Sequence, residues 1–307
     1  MRWQGRQRSS NIEDRRGVPG PSMGRGGFSP FGRGGGGIPI PTGRGGGGIG
    51  GIVGIVIVLG IIWLVSGQNP LDMLTGGSST GTATAPSSQL SPAEQDELTG
   101  FVGVVVKETE DLWNREFTER GMNYAEPAVV LFTGATETAC GTGTADTGPF
   151  YCPLDQKVYI DLSFYDQLRD RFGAPGDFAQ AYVLAHEVGH HVQQLTGVLG
   201  EFNDARGRLS QADANQWSIR IELQADCYAG VWANYAGAQN LLEQGDVQEA
   251  INAADSIGDD TLQERMQGYA VPKTFNHGTS AQRMEWFTRG YQSGDPAQCD
   301  TFAQGAV

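Results

Sequence analysis

Apolar and polar positions alternate along this chain in three ways, and each predicts a different kind of element. Over residues 49–66 the sequence IGGIVGIVIVLGIIWLVS carries no charge for 18 residues. As a helix it would rise about 27 Å, close to the hydrocarbon thickness of a bilayer, so it is a transmembrane candidate. Over 178–195 the apolar residues Ala181, Leu184, Ala185, Val188, Val192 and Leu195 recur at spacings of three and four, predicting an amphipathic helix that stops at Gly197. The stretches AVVLF at 128–132 and KVYIDLSF at 157–164 have the β-branched and aromatic content of strands, with Gly- and Pro-rich sequence between them. They predict a small sheet or hairpin, with 158–165 a candidate edge for pairing with an extended peptide.

Further helices are expected at about 213–235, 247–254 and 281–291, and over about 91–120 with a break or kink near Gly100 and Gly103. Ser91, Pro92 and Glu94 resemble the start of that first helix, with Ser as cap, Pro in the first turn and Glu reaching back. No internal repeat is visible. The fold class is therefore α+β, mostly helical with a small sheet.

Composition divides the chain. Residues 1–48 hold repeated GRGG runs and few apolar residues, too little to offset the entropy of ordering, so a disordered Arg/Gly-rich tail is expected. Residues 67–90 are rich in Gly, Ser, Thr and Pro and read as a flexible linker, which leaves 91–307 as the folded domain. The tail has eight arginines against Glu13 and Asp14, a net charge of +6; with −14 on the whole chain, residues 49–307 carry −20. So acidic a folded domain is not expected to bind nucleic acid. The tail itself could meet anionic lipid or, as a rival reading, RNA.

Arginine before the apolar segment and acidic sequence after it predict a single-pass protein of the plasma membrane, N-terminus cytoplasmic and domain outside. All four cysteines, Cys140, Cys152, Cys227 and Cys299, fall in that outer part, where an oxidising compartment permits two disulfides in three possible connectivities. The short-range pair Cys140 with Cys152 is preferred, leaving Cys227 with Cys299; buried free thiols are the alternative.

The chemistry concentrates in AHEVGHHVQQLTG. His186 and His190 lie four apart on the predicted helix, a spacing that stacks two imidazoles on one face and lets both bind one zinc ion. Glu187, next to the first, would sit beside the ion without being forced to ligate it, placed to take a proton from bound water. A catalytic zinc needs a third protein ligand. RIELQADCYAGVW, beginning 30 residues after His190, offers Glu222 for that role and, four later on the same face, Asp226 as acceptor for a ligand histidine. His191 is rotated about 100° from His190 and reads as a packed residue. His277, in FNHGTSAQR before the last helix, is a candidate to stabilise an oxyanion.

HEVGH followed by ELQAD resembles the HExxH plus ExxxD pattern of the gluzincin metallopeptidases. TACGTGTADTGPFYCPLDQKVYIDLSFY, AHEVGHHVQQLTG, RIELQADCYAGVWA and HGTSAQRMEWFTRGY together resemble the neutral zinc metallopeptidase family of bacterial single-pass membrane proteins, over most of residues 91–300. The resemblance implies a zincin-like domain cleaving peptide or protein substrates with Zn2+ as cofactor. The competing expectation is a catalytically silent zinc-binding membrane scaffold that presents its groove to a partner protein.

Overall fold

The computed structural model describes residues 1–18 and 90–307. The chain forms β1 (Ile12–Asp14), α1 (Pro92–Glu119), β2 (Ala128–Phe132), β3 (Ala135–Thr138), β4 (Gly141–Thr144), β5 (Phe150–Cys152) and β6 (Lys157–Asp161). The helices α2 (Phe164–Asp170), α3 (Asp177–Leu195), α4 (Val198–Arg206), α5 (Gln211–Ala238), α6 (Asp246–Ser256), α7 (Asp259–Gln267) and α8 (Ser280–Ser293) follow. The result is the mostly helical α+β domain that the patterning predicts.

Four strands make one sheet in the order β1-β2-β6-β5, with β1, β2 and β6 parallel and β5 antiparallel to β6. Side chains alternate across it. Val129, Leu131, Val158 and Ile160 join the main core with the helices, while Val130, Phe132, Phe150 and Tyr159 form a second cluster on the other face. The two predicted strands thus pair with each other directly, but in parallel, and the intervening chain supplies the β3–β4 hairpin and β5. The predicted edge at 158–165 is corrected. β6 lies inside the sheet and ends at Asp161, whose carboxylate accepts the Ser163 and Gly134 N–H groups, so the chain turns there into α2. Among the described residues the outer strands of this sheet are β1 and β5.

Ser91 and Glu94 close a capping box around Pro92, as expected, but α1 runs unbroken through Gly100 and Gly103. Both cysteine pairs form the expected bridges, Cys140–Cys152 and Cys227–Cys299. The expectation of a disordered tail fails for residues 1–18, which pack against the domain: Met1 and Trp3 are buried and β1 extends the sheet. The remainder of that tail, the apolar segment 49–66 and the linker up to residue 89 lie outside the described residues. Among the described residues no helix is long and apolar enough to cross a membrane.

Candidate metal centre

The site is built where α3 and α5 pack together, and a glycine sets how closely. A Cβ at Gly189 would lie 3.1 Å from Ala225 Cα and 3.2 Å from its carbonyl oxygen, so any side chain there would push the helices apart. One turn of α3 separates His186 from His190, and both face Glu222 on α5. His186 Nε2 lies 3.2 Å from Glu222 Oε2, and His190 Nε2 lies 3.6 Å from Glu222 Oε1. A ligand atom from each of the three falls within 4.8 Å of the others, and all three side chains are buried. The structure therefore brings together the three residues that side-chain chemistry and spacing singled out.

Each imidazole is held from its far side. His186 Nδ1 is 2.8 Å from Asp226 Oδ1, the contact expected of Asp226. That carboxylate also accepts from Arg283 Nε at 2.8 Å, Arg283 Nη2 at 2.9 Å and the Tyr182 hydroxyl at 2.6 Å. His190 Nδ1 meets Gln193 Oε1 at 2.9 Å. The Gln193 amide donates to Ile221 O and Gln224 Oε1, and Gln224 in turn donates to the carbonyl of Cys299, one end of the disulfide to α5. With Nδ1–H directed at an acceptor on both rings, the Nε2 lone pairs are left for the interior of the site.

Charge follows from these contacts. Burial pushes His190 down to about 4, keeping it neutral. Burial also opposes charge on His186, but Asp226 and Glu222 outweigh it and push that ring up to about 10. Glu222 is held down to about 2 by His190 and His186 in spite of its burial. Burial pushes Glu187 up to about 8, with the Tyr151 backbone N–H of β5 partly opposing the shift.

Two buried polar atoms here, His190 Nε2 and Glu187 Oε2, have no partner in the protein. Leaving such groups unsatisfied costs about 1–3 kcal/mol each. Once His186 gives up the Nε2 proton that Asp226 and Glu222 favour in the metal-free site, two imidazole nitrogens and one carboxylate form a donor set suited to zinc, so the residues fit a metal ion.

His277 lines the same cavity as His186, Glu187 and Glu222, about 300 Å3 in volume. It stands off the ligand set, its Nδ1 3.0 Å from Asp259 Oδ1. His191 is packed, bonded through Nδ1 to the Tyr151 hydroxyl and through Nε2 to the Ala125 carbonyl. Tyr182, Gln193, Gln224 and Arg283 were not foreseen. Only Arg283 carried a signal, as a cation in the same motif as His277; the other three are ordinary polar residues until the helices are packed.

A family model described as "Putative neutral zinc metallopeptidase" matches residues 1–302. The chain is 47% identical over 308 residues to "Uncharacterized protein YpfJ" of Escherichia coli (strain K12), covering 99% of each. It is 46% identical over 191 residues to "Uncharacterized protein Rv2575" of Mycobacterium tuberculosis, covering 59% of this chain and 64% of that one. No solved structure matches. With the family match running across nearly the whole chain and the ligand triad assembled, this protein belongs to the putative neutral zinc metallopeptidase family.

Proposed function

We propose that the domain is a zinc-dependent peptidase in which His186, His190 and Glu222 hold the ion and Glu187 is the general base. The observation that carries this reading is the buried triad with His190 Nε2 and Glu187 Oε2 both unpaired beside it. When bound, zinc supplies a Lewis acid that polarises the scissile carbonyl and lowers the pKa of water toward about 7. Glu187 accepts a proton at Oε2 and returns it to the leaving amine; burial suits its carboxyl to that exchange near neutral pH. His277, its Nδ1 fixed by Asp259, presents Nε2 as a donor to the oxyanion.

Substrate enters along β5, the outer antiparallel strand whose Tyr151 N–H reaches Glu187, so an extended peptide can add as a further strand. The cavity beside the ligands is walled by Phe164, Phe172, Val183, Ile257, Leu262 and Met266, which suits a bulky apolar side chain next to the cleaved bond. Glu187→Gln should retain one equivalent of zinc by metal analysis and lose peptide cleavage. Turnover in that variant, or wild-type cleavage unaffected by a chelator, would sink the proposal. No residue of the site favours the silent scaffold, because Glu187 stands intact beside the triad.

A further inference from the structure

The first 18 residues make contacts that the domain is built to receive. The Trp3 ring packs edge-on against Phe101 of α1 at 5.7 Å. Arg6 Nη1 pairs with Glu108 at 3.0 Å, and Asn11 Nδ2 donates to Glu110 at 2.8 Å. Both carboxylates are buried, and burial raises both, so without these partners α1 would carry two desolvated acids in its packed face. The two α1 glycines are explained by the same segment: a Cβ at Gly100 would lie 2.7 Å from Arg8 Nη2, and one at Gly103 3.2 Å from Arg8 Cβ. At the other end, β1 pairs with β2 in register from Ile12 with Val129 to Asp14 with Leu131, covering an edge that would otherwise be open. The Met1 ammonium is seated against Asp177 at 2.9 Å and Glu243 at 3.2 Å, on the first residue of the helix that carries HExxH. The family match also begins at residue 1.

We infer that residues 1–18 are a fixed part of the peptidase domain, so residue 18 and residue 90 lie on the same side of any membrane. Only an even number of crossings, zero included, can join them. The 18 apolar residues at 49–66 match a single crossing. The single-pass topology drawn from the sequence, which would place the bilayer between β1 and β2, is therefore replaced. Its main support also weakens, because the arginines counted as cytoplasmic anchors include Arg6, Arg15 and Arg16, which pair with Glu108, Glu13 and Asp14. The disulfides of the domain place the shared side outside the cytoplasm.

The native cysteines are paired, so single new thiols can report sidedness in the full-length protein. Val18→Cys and Tyr269→Cys, at positions 58% and 62% exposed, are each expressed and treated in intact cells with a membrane-impermeant maleimide. Permeabilised cells show that each thiol is reactive. We expect both to label before permeabilisation. Protection of both would keep them on one side and move that side to the cytoplasm. Labelling of one with protection of the other would overturn the inference.

Discussion

The two imidazoles of the candidate metal site are held from behind by opposite chemistry. His186 leans on a charged network: Asp226 between that ring, the Arg283 guanidinium and the Tyr182 hydroxyl, with no exposure for Asp226. His190 leans on a neutral relay of two amides, Gln193 and Gln224, ending on the Cys299 carbonyl. The charged side joins α3, α5 and α8 through a full ion pair; the neutral side joins α3 to α5 and to the segment held by the disulfide. A carboxylate makes its histidine a stronger base, while an amide orients without adding charge. An ion bound there would therefore meet one electron-rich and one ordinary imidazole, and the two halves differ in how much stability depends on them.

The largest effect should come from the charged half. Asp226→Asn leaves Arg283 buried without its counter-ion, and breaking a buried pair from one side costs about 3–5 kcal/mol. Denaturant unfolding of the metal-free domain should show that loss. Zinc affinity should also fall by about 10–100-fold through the misoriented His186. Adding Arg283→Met to this variant should recover part of the stability, because the stranded charge is then gone, but not the zinc affinity. A double variant no more stable than Asp226→Asn would show that the ion pair is not what carries the cost.

A smaller effect is expected on the neutral side. Gln193→Ala strands the His190 Nδ1–H and removes two donated bonds without leaving a charge behind, a cost of about 1–3 kcal/mol. Zinc binding should weaken less than in Asp226→Asn. Equal losses of stability in the two variants, measured side by side, would erase the distinction between the halves.

The same contrast explains what could be read from the sequence. His186 and His190 share one helical face with Glu187 beside the first, and Glu222 with Asp226 share a face of another helix, so local periodicity placed each group. The partners Tyr182 and Gln193 lie on that first helix too, but a tyrosine or glutamine among apolar neighbours has no chemical signature before α5 arrives. Arg283 sits 57 residues beyond Asp226, and only the packing of α8 on α5 joins them. The N-terminal segment was misread for a related reason: its Arg- and Gly-rich composition describes what it lacks by itself. Its order depends on Glu108, Glu110 and the β2 edge, far along the chain. Those two acids within the apolar run GFVGVVVKETED were the available clue, since buried carboxylates require partners.

The smallest expected effect concerns a group outside both halves. His277 faces Asp259, Glu222 and Arg283; burial and Arg283 disfavour its charge, yet the two carboxylates prevail and hold its pKa above the ordinary histidine value. Asp259 is lowered in turn, by the His277 ring and by backbone N–H groups from Asn276 and His277. A raised imidazolium contributes stability that is full below about pH 6.5 and lost as pH rises through the folded value. A lowered carboxylate contributes above its ordinary range near pH 4 and loses that contribution on acidification. The stability gap between wild type and Asp259→Asn should therefore be widest between about pH 4 and 6.5 and narrow on either side. If His277 donates to the oxyanion in its charged form, the alkaline limb of kcat/KM should move to lower pH in Asp259→Asn, with bound zinc unchanged. A limb that stays in place while the stability gap appears would make the pair structural and remove His277 from the reaction.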